Sequence, residues 1–121
     1  MNPFRDQETF MKACDQTVGA FNQDQFNMYV KLIAEESQEL IDAIMANDAT
    51  ETLDALIDII VVATGAIHSL GADAEGAWKE VMSTNFAKID KETGKVRKRE
   101  DGKVLKPQGW QSPQLEQFLS K

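Results

Sequence analysis

The sequence predicts an all-α protein, a four-helix bundle-like fold that ends in a C-terminal loop or small hairpin. Apolar residues recur at helical spacing along most of the first 89 residues. The segments that carry this pattern are joined by short connections, which favour antiparallel neighbours. A length of 121 residues suits one compact domain. We therefore expect a single domain over residues 1–121, with a helical core of about 4–89 and a basic tail of 90–121.

Four segments account for the predicted helices, at about 4–20, 23–46, 49–70 and 72–89. The third is followed by Gly71, a residue typical of helix C-termini. Beyond residue 89, Pro107 and Pro113 exclude a long helix, and the glycine-containing turns at 92–95 and 100–103 indicate a hairpin or ordered loop.

Charge is divided unevenly along the chain. From Leu32 to Trp78 there are ten acidic residues and no Lys or Arg, whereas Lys79 to Lys121 holds ten basic and six acidic residues. The net charge of −7 argues against nucleic acid as a partner, because an acidic protein repels a duplex. The division is consistent with solvated surfaces, or with a metal site and a phosphate-binding tail.

Other features bear on the compartment. The apolar run Ala55–Ala66 is interrupted by Asp58 and is shorter than the ~20 residues that cross a bilayer. The first 20 residues lack a signal-peptide pattern, and the single Cys14 fits a reducing environment. We expect a cytoplasmic protein without a membrane partner.

The second helix has carboxylates on the side that should be buried. On a helical wheel Glu36 lies about 60° from Glu39, between Ala43 and Leu40. The third helix has one narrow acidic strip, formed by Glu51, Asp54 and Asp58, and is apolar in nearly every other direction. By itself this strip is equally consistent with a solvent-facing edge.

Considered together, the two helices favour a metal site. Buried charge without compensation is very costly, and this region offers no basic partner, so the carboxylates must either reach water or bind a cation. Oxygen-only ligands suit Mg²⁺, with Mn²⁺ as the alternative. The candidate ligands are Glu36, Glu39, Glu51, Asp54 and Asp58.

At these residues the sequence resembles the MazG-like, all-α nucleoside triphosphate pyrophosphohydrolase superfamily, which includes phosphoribosyl-ATP pyrophosphohydrolases. Its motif is Glu-Glu-x-x-Glu followed by Glu-x-x-Asp on the next helix. Glu35-Glu36-Ser-Gln-Glu39 matches the first half. Glu51-Thr-Leu-Asp54 fits the letters of the second half, whereas Asp54-Ala-Leu-Ile-Asp58 fits its apolar context better. With the lysine-rich ending, the resemblance covers about residues 28–115.

The resemblance implies a MazG-type fold and Mg²⁺-dependent cleavage of a (deoxy)nucleoside triphosphate between the α and β phosphates, for nucleotide-pool house-cleaning. It implies that Glu35 or Glu39 orients or deprotonates the attacking water. The residues implied in substrate binding are Asn85, Lys88, Lys103 and Lys106 for the phosphates, and Trp110, Phe21 or Tyr29 for the base.

Two other functions stay open at this point. One is a non-catalytic helical adaptor with an acidic face, and the other is a phosphoribosyl-ATP pyrophosphohydrolase. The resemblance and the apolar third helix together predict a homodimer or a dimer-of-dimers tetramer.

Overall fold

The structure, a computed structural model, describes residues 1–119. This part of the chain contains four α-helices: α1 (Pro3–Ala13), α2 (Gln23–Met45), α3 (Ala49–Ser69) and α4 (Ala74–Phe86), and a short 3₁₀ turn over Glu116–Phe118. The predicted all-α class is confirmed. The chain divides into two compact units, the first comprising Met1–Ala74 with Leu119 and the second Glu75–Phe118. The single domain expected from the sequence stays a prediction.

The first three helices end in the same way, with a residue in the left-handed conformation. These residues are Asp15 (φ 59°), Asn47 (φ 53°) and Gly71 (φ 80°). In each case the amide of the next residue bonds to a carbonyl five positions back, as Gln16 does to Met11 at 2.9 Å. This arrangement satisfies carbonyl groups that a helix end leaves free.

Two predicted helix ends were wrong. The first helix stops at Ala13 instead of continuing to about residue 20, because Asp15 turns the backbone out of the helix. The following loop is held in place from α2, since the Gln25 side chain bonds both the amide and the carbonyl of Thr17, at 2.9 and 2.8 Å. The fourth helix ends at Phe86, short of the predicted residue 89.

Helices α2 and α3 are antiparallel and form the core of the first unit. The Tyr29 ring lies against Gly65, while further along α2 Glu36 faces Asp54 and Asp58 at the other end of α3. Tyr29 packs with Met11, Val62 and Ala66, all buried. The core therefore joins α1, α2 and α3.

Polar side chains fasten α1 and its loop to this core. The Nε2 atom of the buried His68 lies 2.8 Å from the carbonyl oxygen of Phe4, and the Tyr29 hydroxyl donates to Gln16. His68 is thus a packed, hydrogen-bonded residue. Cys14 is exposed, because α1 ends just before it.

In the second unit, the residues after α4 form an ordered loop with two isolated antiparallel bridges, Ile89 with Val96 and Lys98 with Val104. The final segment is attached to α4 by two hydrogen bonds. Trp110 Nε1 donates to the Thr84 carbonyl, and the Gln114 amide donates to the Glu80 carboxylate, each at 2.7 Å. The tail is thus an ordered part of this unit.

One face of α3 is apolar and exposed within the single chain. Leu53, Leu56, Ile57 and Ile60 follow helical spacing, and each is more than two-fifths exposed. By length and composition alone, α3 is also a helix that could cross a bilayer, a property that core helices of soluble proteins share.

Candidate functional site

The acidic residues singled out from the sequence meet at one cleft between α2 and α3. The cleft has a volume of about 600 Å³. Its lining residues include five of the predicted site residues, namely Glu36, Glu39, Glu51, Asp54 and Asp58, together with Asp42 and Asp48. Among residues 1–119, no Lys or Arg lines it.

Local structure explains why these carboxylates converge. Glu36 and Glu39 lie on the inner side of α2, near the buried Ala43, and α3 presents Asp54 and Asp58 beside the buried Ala55. The two alanines are small, which leaves room for the cleft at the interface of the two helices. The turn over Ala46–Asp48 reverses the chain, so carboxylates from both helices reach the same space.

Glu36 is the most unusual member of the cluster. Its Oε2 atom is buried and has no hydrogen-bond partner in the described chain. A buried polar atom without a partner costs free energy, typically about 1–3 kcal/mol. Such an atom is more readily explained by a ligand than by packing.

Like charges in the cleft shift two pKa values upward. The side-chain interaction with the neighbouring Glu39 carboxyl, followed by desolvation and the charges of Glu39, Asp58 and Asp54, raises the pKa of Glu36 to about 7. Desolvation, followed by the charge of Asp54, raises the pKa of Asp58. The cluster therefore favours a bound proton or a cation.

The donor set fits a hard divalent ion. Carboxylate oxygens are the ligands that Mg²⁺ and Mn²⁺ prefer, and Glu36 Oε2 is an acceptor in need of a positive partner. In residues 1–119 no three acidic, His or Cys side chains are already arranged as a complete ligand set. Water or phosphate oxygens would have to complete the coordination, as is common for Mg²⁺.

For three acidic residues, the position relative to the cleft differs from what the sequence predicted. Glu35 is exposed and is not among the residues that line the cleft. Asp42 and Asp48 line it but were not predicted. Asp42 lies three residues after Glu39, a spacing that indicates the same face of α2. Asp48 also caps α3, where its side chain accepts a hydrogen bond from the Glu51 amide at 3.0 Å. Its place at the cleft therefore depends on the path of the turn between α2 and α3.

Five of the residues implied in substrate binding, namely Asn85, Lys88, Lys103, Lys106 and Trp110, belong to the second unit, whereas Phe21 and Tyr29 belong to the first. The Lys88 and Lys106 ammonium groups lie 5.0 and 4.8 Å from the centroid of the Trp110 ring, and Lys88 Nζ donates to Asn85 Oδ1 at 3.1 Å. Lys103 is exposed, and its backbone amide bonds to Asp101. The structure thus brings four of these five residues together.

The all-helical fold is that of the MazG-like, all-α pyrophosphohydrolase class. Within that class, the chain belongs to the phosphoribosyl-ATP pyrophosphohydrolase family, which it matches over residues 7–85. The resemblance noted from the sequence is therefore confirmed, and membership supports a pyrophosphohydrolase type of activity. The matched region contains α2, α3 and every residue of the cleft, and it ends before Lys88. No curated protein matches the chain.

Proposed function

We propose that the protein is a Mg²⁺-dependent nucleotide pyrophosphohydrolase that cleaves a (deoxy)nucleoside triphosphate between its α and β phosphates, and that it removes unwanted nucleotides from the cellular pool. Water supplies the oxygen of the new P–O bond, the α–β anhydride bond breaks, and the products are a nucleoside monophosphate and pyrophosphate. Mn²⁺ is the alternative ion. The observation that carries the proposal is the buried, unpartnered Glu36 Oε2 in a cleft lined by acidic residues.

The residues of the cleft have separate roles in this proposal. Glu36, Asp54 and Asp58 hold the cation from opposite helices, and Glu51 is a further candidate ligand. A bound divalent ion would offset the charge of the phosphate oxygens and lower the pKa of a coordinated water. Glu39, which is exposed at the cleft, would orient that water and accept its proton.

Glu35 has weaker support as the proton acceptor. It is one residue from Glu36 but does not line the cleft. A general base must reach its proton within hydrogen-bond distance or through one water. Glu39 is therefore the residue we assign to that role, and Glu35 serves as the comparison.

Phosphoribosyl-ATP is a second candidate substrate, because the family match favours it. It carries the same triphosphate chain as ATP, so the acidic cleft would act on it in the same way. What differs is the additional phosphorylated ribose that phosphoribosyl-ATP carries on its base, and other residues would have to recognise this group.

A panel of nucleotides assayed for pyrophosphate release tests these proposals. The panel contains the standard and oxidised (deoxy)nucleoside triphosphates and phosphoribosyl-ATP, each with Mg²⁺, with Mn²⁺ and with EDTA. We expect metal-dependent release that Glu36→Gln and Asp58→Asn abolish and that Glu35→Gln retains. If the protein cleaved none of these nucleotides, the enzymatic proposal would be refuted and the helical adaptor would be favoured.

The same proposal includes a homodimer, or a dimer of dimers, and a cytoplasmic location. The support for pairing is the exposed apolar face of α3, in which Leu53, Leu56, Ile57 and Ile60 lie without intervening charge. A second copy presents a matching face, because symmetric oligomers use the same patch on both subunits.

A further inference from the structure

The turn over residues 99–103 contains the one Asp–Gly pair of the sequence, Asp101–Gly102. The turn is exposed, and the Arg99 amide donates to the Lys103 carbonyl across it at 2.8 Å. Gly102 has a φ of 88°, a conformation that glycine adopts without steric cost. The proposed function assigns no role to the Asp101 carboxylate, so its chemistry can be considered separately.

An Asp–Gly pair is chemically labile, because glycine has no side chain to shield its backbone nitrogen. This nitrogen can attack Cγ of the Asp side chain. A C–N bond forms, the amide loses its proton, and a carboxyl oxygen leaves as water, which gives a five-membered succinimide ring. Water then reopens the ring at either carbonyl, and opening at the backbone carbonyl gives isoaspartate. The net change is an isomerisation that needs no oxidant, reductant or other reactant.

Three hydrogen bonds engage the Asp101 carboxylate in the folded chain. Arg99 donates to both oxygens, from Nη2 to Oδ2 at 2.7 Å and from Nε to Oδ1 at 3.2 Å. The Lys103 amide donates to Oδ1 at 3.1 Å. Two parallel bonds from one guanidinium are stronger than neutral hydrogen bonds and require an ionised carboxylate. An oxygen that leaves as water must first be protonated, which breaks or weakens its bond to Arg99.

Arg99 also engages the attacking group. The Gly102 amide donates to the Arg99 carbonyl at 2.9 Å, and the attack requires this amide to give up its proton. On the other side of the reaction, the hydrogen bonds from Arg99 and then from the Lys103 amide lower the pKa of Asp101, which keeps its carboxylate ionised. Arg99 therefore restrains both reacting groups, one through its side chain and the other through its backbone.

We propose that Asp101–Gly102 is a site of spontaneous isomerisation to isoaspartate, and that Arg99 is a positioning residue that slows this reaction in the folded protein. Isoaspartate adds one carbon to the backbone of a turn that is closed by the Arg99 amide and the Lys103 carbonyl. The longer chain should disrupt the neighbouring bridge between Lys98 and Val104. The proposal is independent of the proposed function, because it involves no nucleotide and no metal ion.

Prolonged incubation of the full-length protein at neutral pH, below its melting temperature, tests the proposal. Peptides that contain residue 101 are then separated by reversed-phase chromatography and identified by mass spectrometry, since isoaspartate changes retention but not mass. We expect isoaspartate to form about threefold faster in Arg99→Gln than in the parent, the scale set by an exposed ion pair. Arg99→Lys keeps the charge without the fork and should fall between the two. Arg97→Gln removes a neighbouring exposed guanidinium and should isomerise as the parent does.

The same measurement in denaturant separates the folded contacts of Arg99 from its place in the sequence. Unfolding removes the hydrogen bonds, so the parent and Arg99→Gln should isomerise at one common, higher rate. The same difference between them in denaturant as in buffer would mean that Arg99 acts only as a sequence neighbour. Gly102→Asn, combined with Arg99→Gln, keeps a residue that tolerates the left-handed conformation and should suppress the reaction, because its side chain shields the nitrogen.

Several results would overturn the proposal. One is the absence of isoaspartate at residue 101 in every variant, and another is equal rates in the folded parent and Arg99→Gln. Hydrogen exchange of the Leu105 amide, which donates to the Arg97 carbonyl at 2.7 Å, reports whether the turn and its flanking segments stay paired. We expect this exchange to be unchanged in Arg99→Gln. Faster exchange would mean that Arg99 acts by holding the turn together, and the role assigned to it would be wrong.

Discussion

Gly65 of α3 lies against the ring of Tyr29 of α2, so closely that a Cβ atom at Gly65 would overlap ring atoms of Tyr29. The ring cannot move aside easily, because Tyr29 is buried and its hydroxyl donates to Gln16. The glycine therefore sets how closely α2 and α3 approach at this point.

Gly65→Ala is expected to lower the free energy of unfolding by about 1–3 kcal/mol, the usual cost of overpacking a core. In a helix without such a contact, the same change would stabilise by up to about 1 kcal/mol. Urea denaturation followed by circular dichroism measures the difference. A more stable Gly65→Ala variant would contradict the close approach.

A double-mutant cycle with Tyr29 identifies the source of that cost. If the Tyr29 ring is responsible, Gly65→Ala should cost less in a Tyr29→Leu background than in the parent, because the smaller side chain leaves room for the methyl group. Equal costs in the two backgrounds would indicate that some other neighbour is responsible.

The acidic cleft predicts a particular dependence of stability on pH in the metal-free protein. The folded-state pKa of Glu36, about 7, lies above the reference value of 4.5, so the folded state binds this proton more tightly than the unfolded state does. The stabilising contribution of Glu36 is fully present below pH 4.5 and is lost as pH rises through about 7. The raised pKa of Asp58 acts in the same direction.

Glu36→Gln, which mimics the protonated side chain, isolates this effect. Measured in EDTA, its melting temperature should be close to that of the parent below pH 4.5 and should exceed it increasingly as the pH rises to about 7, above which the difference levels off. Glu35→Gln, an exposed neighbour outside the cleft, should show no such trend. A constant difference between Glu36→Gln and the parent across this range would contradict the shifted pKa.

Binding of a divalent ion should stabilise the folded protein. A Mg²⁺ concentration about ten times the dissociation constant would add about 1.4 kcal/mol to the free energy of unfolding, or about 3–7 °C in melting temperature. We expect this rise in the parent and in Glu35→Gln, and expect it to vanish in Asp58→Asn. Thermal denaturation with and without Mg²⁺ makes the measurement, and a rise of equal size in Asp58→Asn would exclude Asp58 as a ligand.

The exposed apolar face of α3 predicts self-association that one charge can disrupt. Ile57→Glu places a carboxylate in the middle of that face and should convert dimers or tetramers to monomers at micromolar concentration. Phe10→Glu changes an exposed apolar residue of α1 and serves as the control. Sedimentation velocity distinguishes the species. A parent protein that is monomeric throughout this range would rule out the proposed oligomers.

Features that depend on neighbouring residues could be predicted from the sequence. Gly71 ends α3 because glycine adopts the left-handed conformation without steric cost, and Asn47 ends α2 in the same way. The end of α1 was missed because Asp15 is less often left-handed than glycine. Its conformation is also supported by the hydrogen bonds of Gln25, a residue of another helix, to the loop that follows.

The acidic cleft could be predicted in part, for the same reason. The helical period places Glu36 and Asp58 on the inner faces of α2 and α3, and a short connection makes such helices antiparallel. The contribution of Asp48 could not be predicted, because it follows from the path of the turn between the helices. The exposure of Ile57 was not predicted either. A helix that is apolar on most sides has the same sequence pattern whether its apolar surface is covered by its own chain or by another chain.

The sequence by itself determined which four segments form helices and which carboxylates lie on apolar faces, because both depend mainly on residues within about one helical turn. Only the tertiary structure decided that Gly65 receives the Tyr29 ring, that Glu36 Oε2 is left without a partner, and that the Trp110 ring contacts both Lys88 and Lys106. These contacts join residues distant along the chain, and they form only when packing of the whole unit offsets the entropy lost in closing the intervening loops.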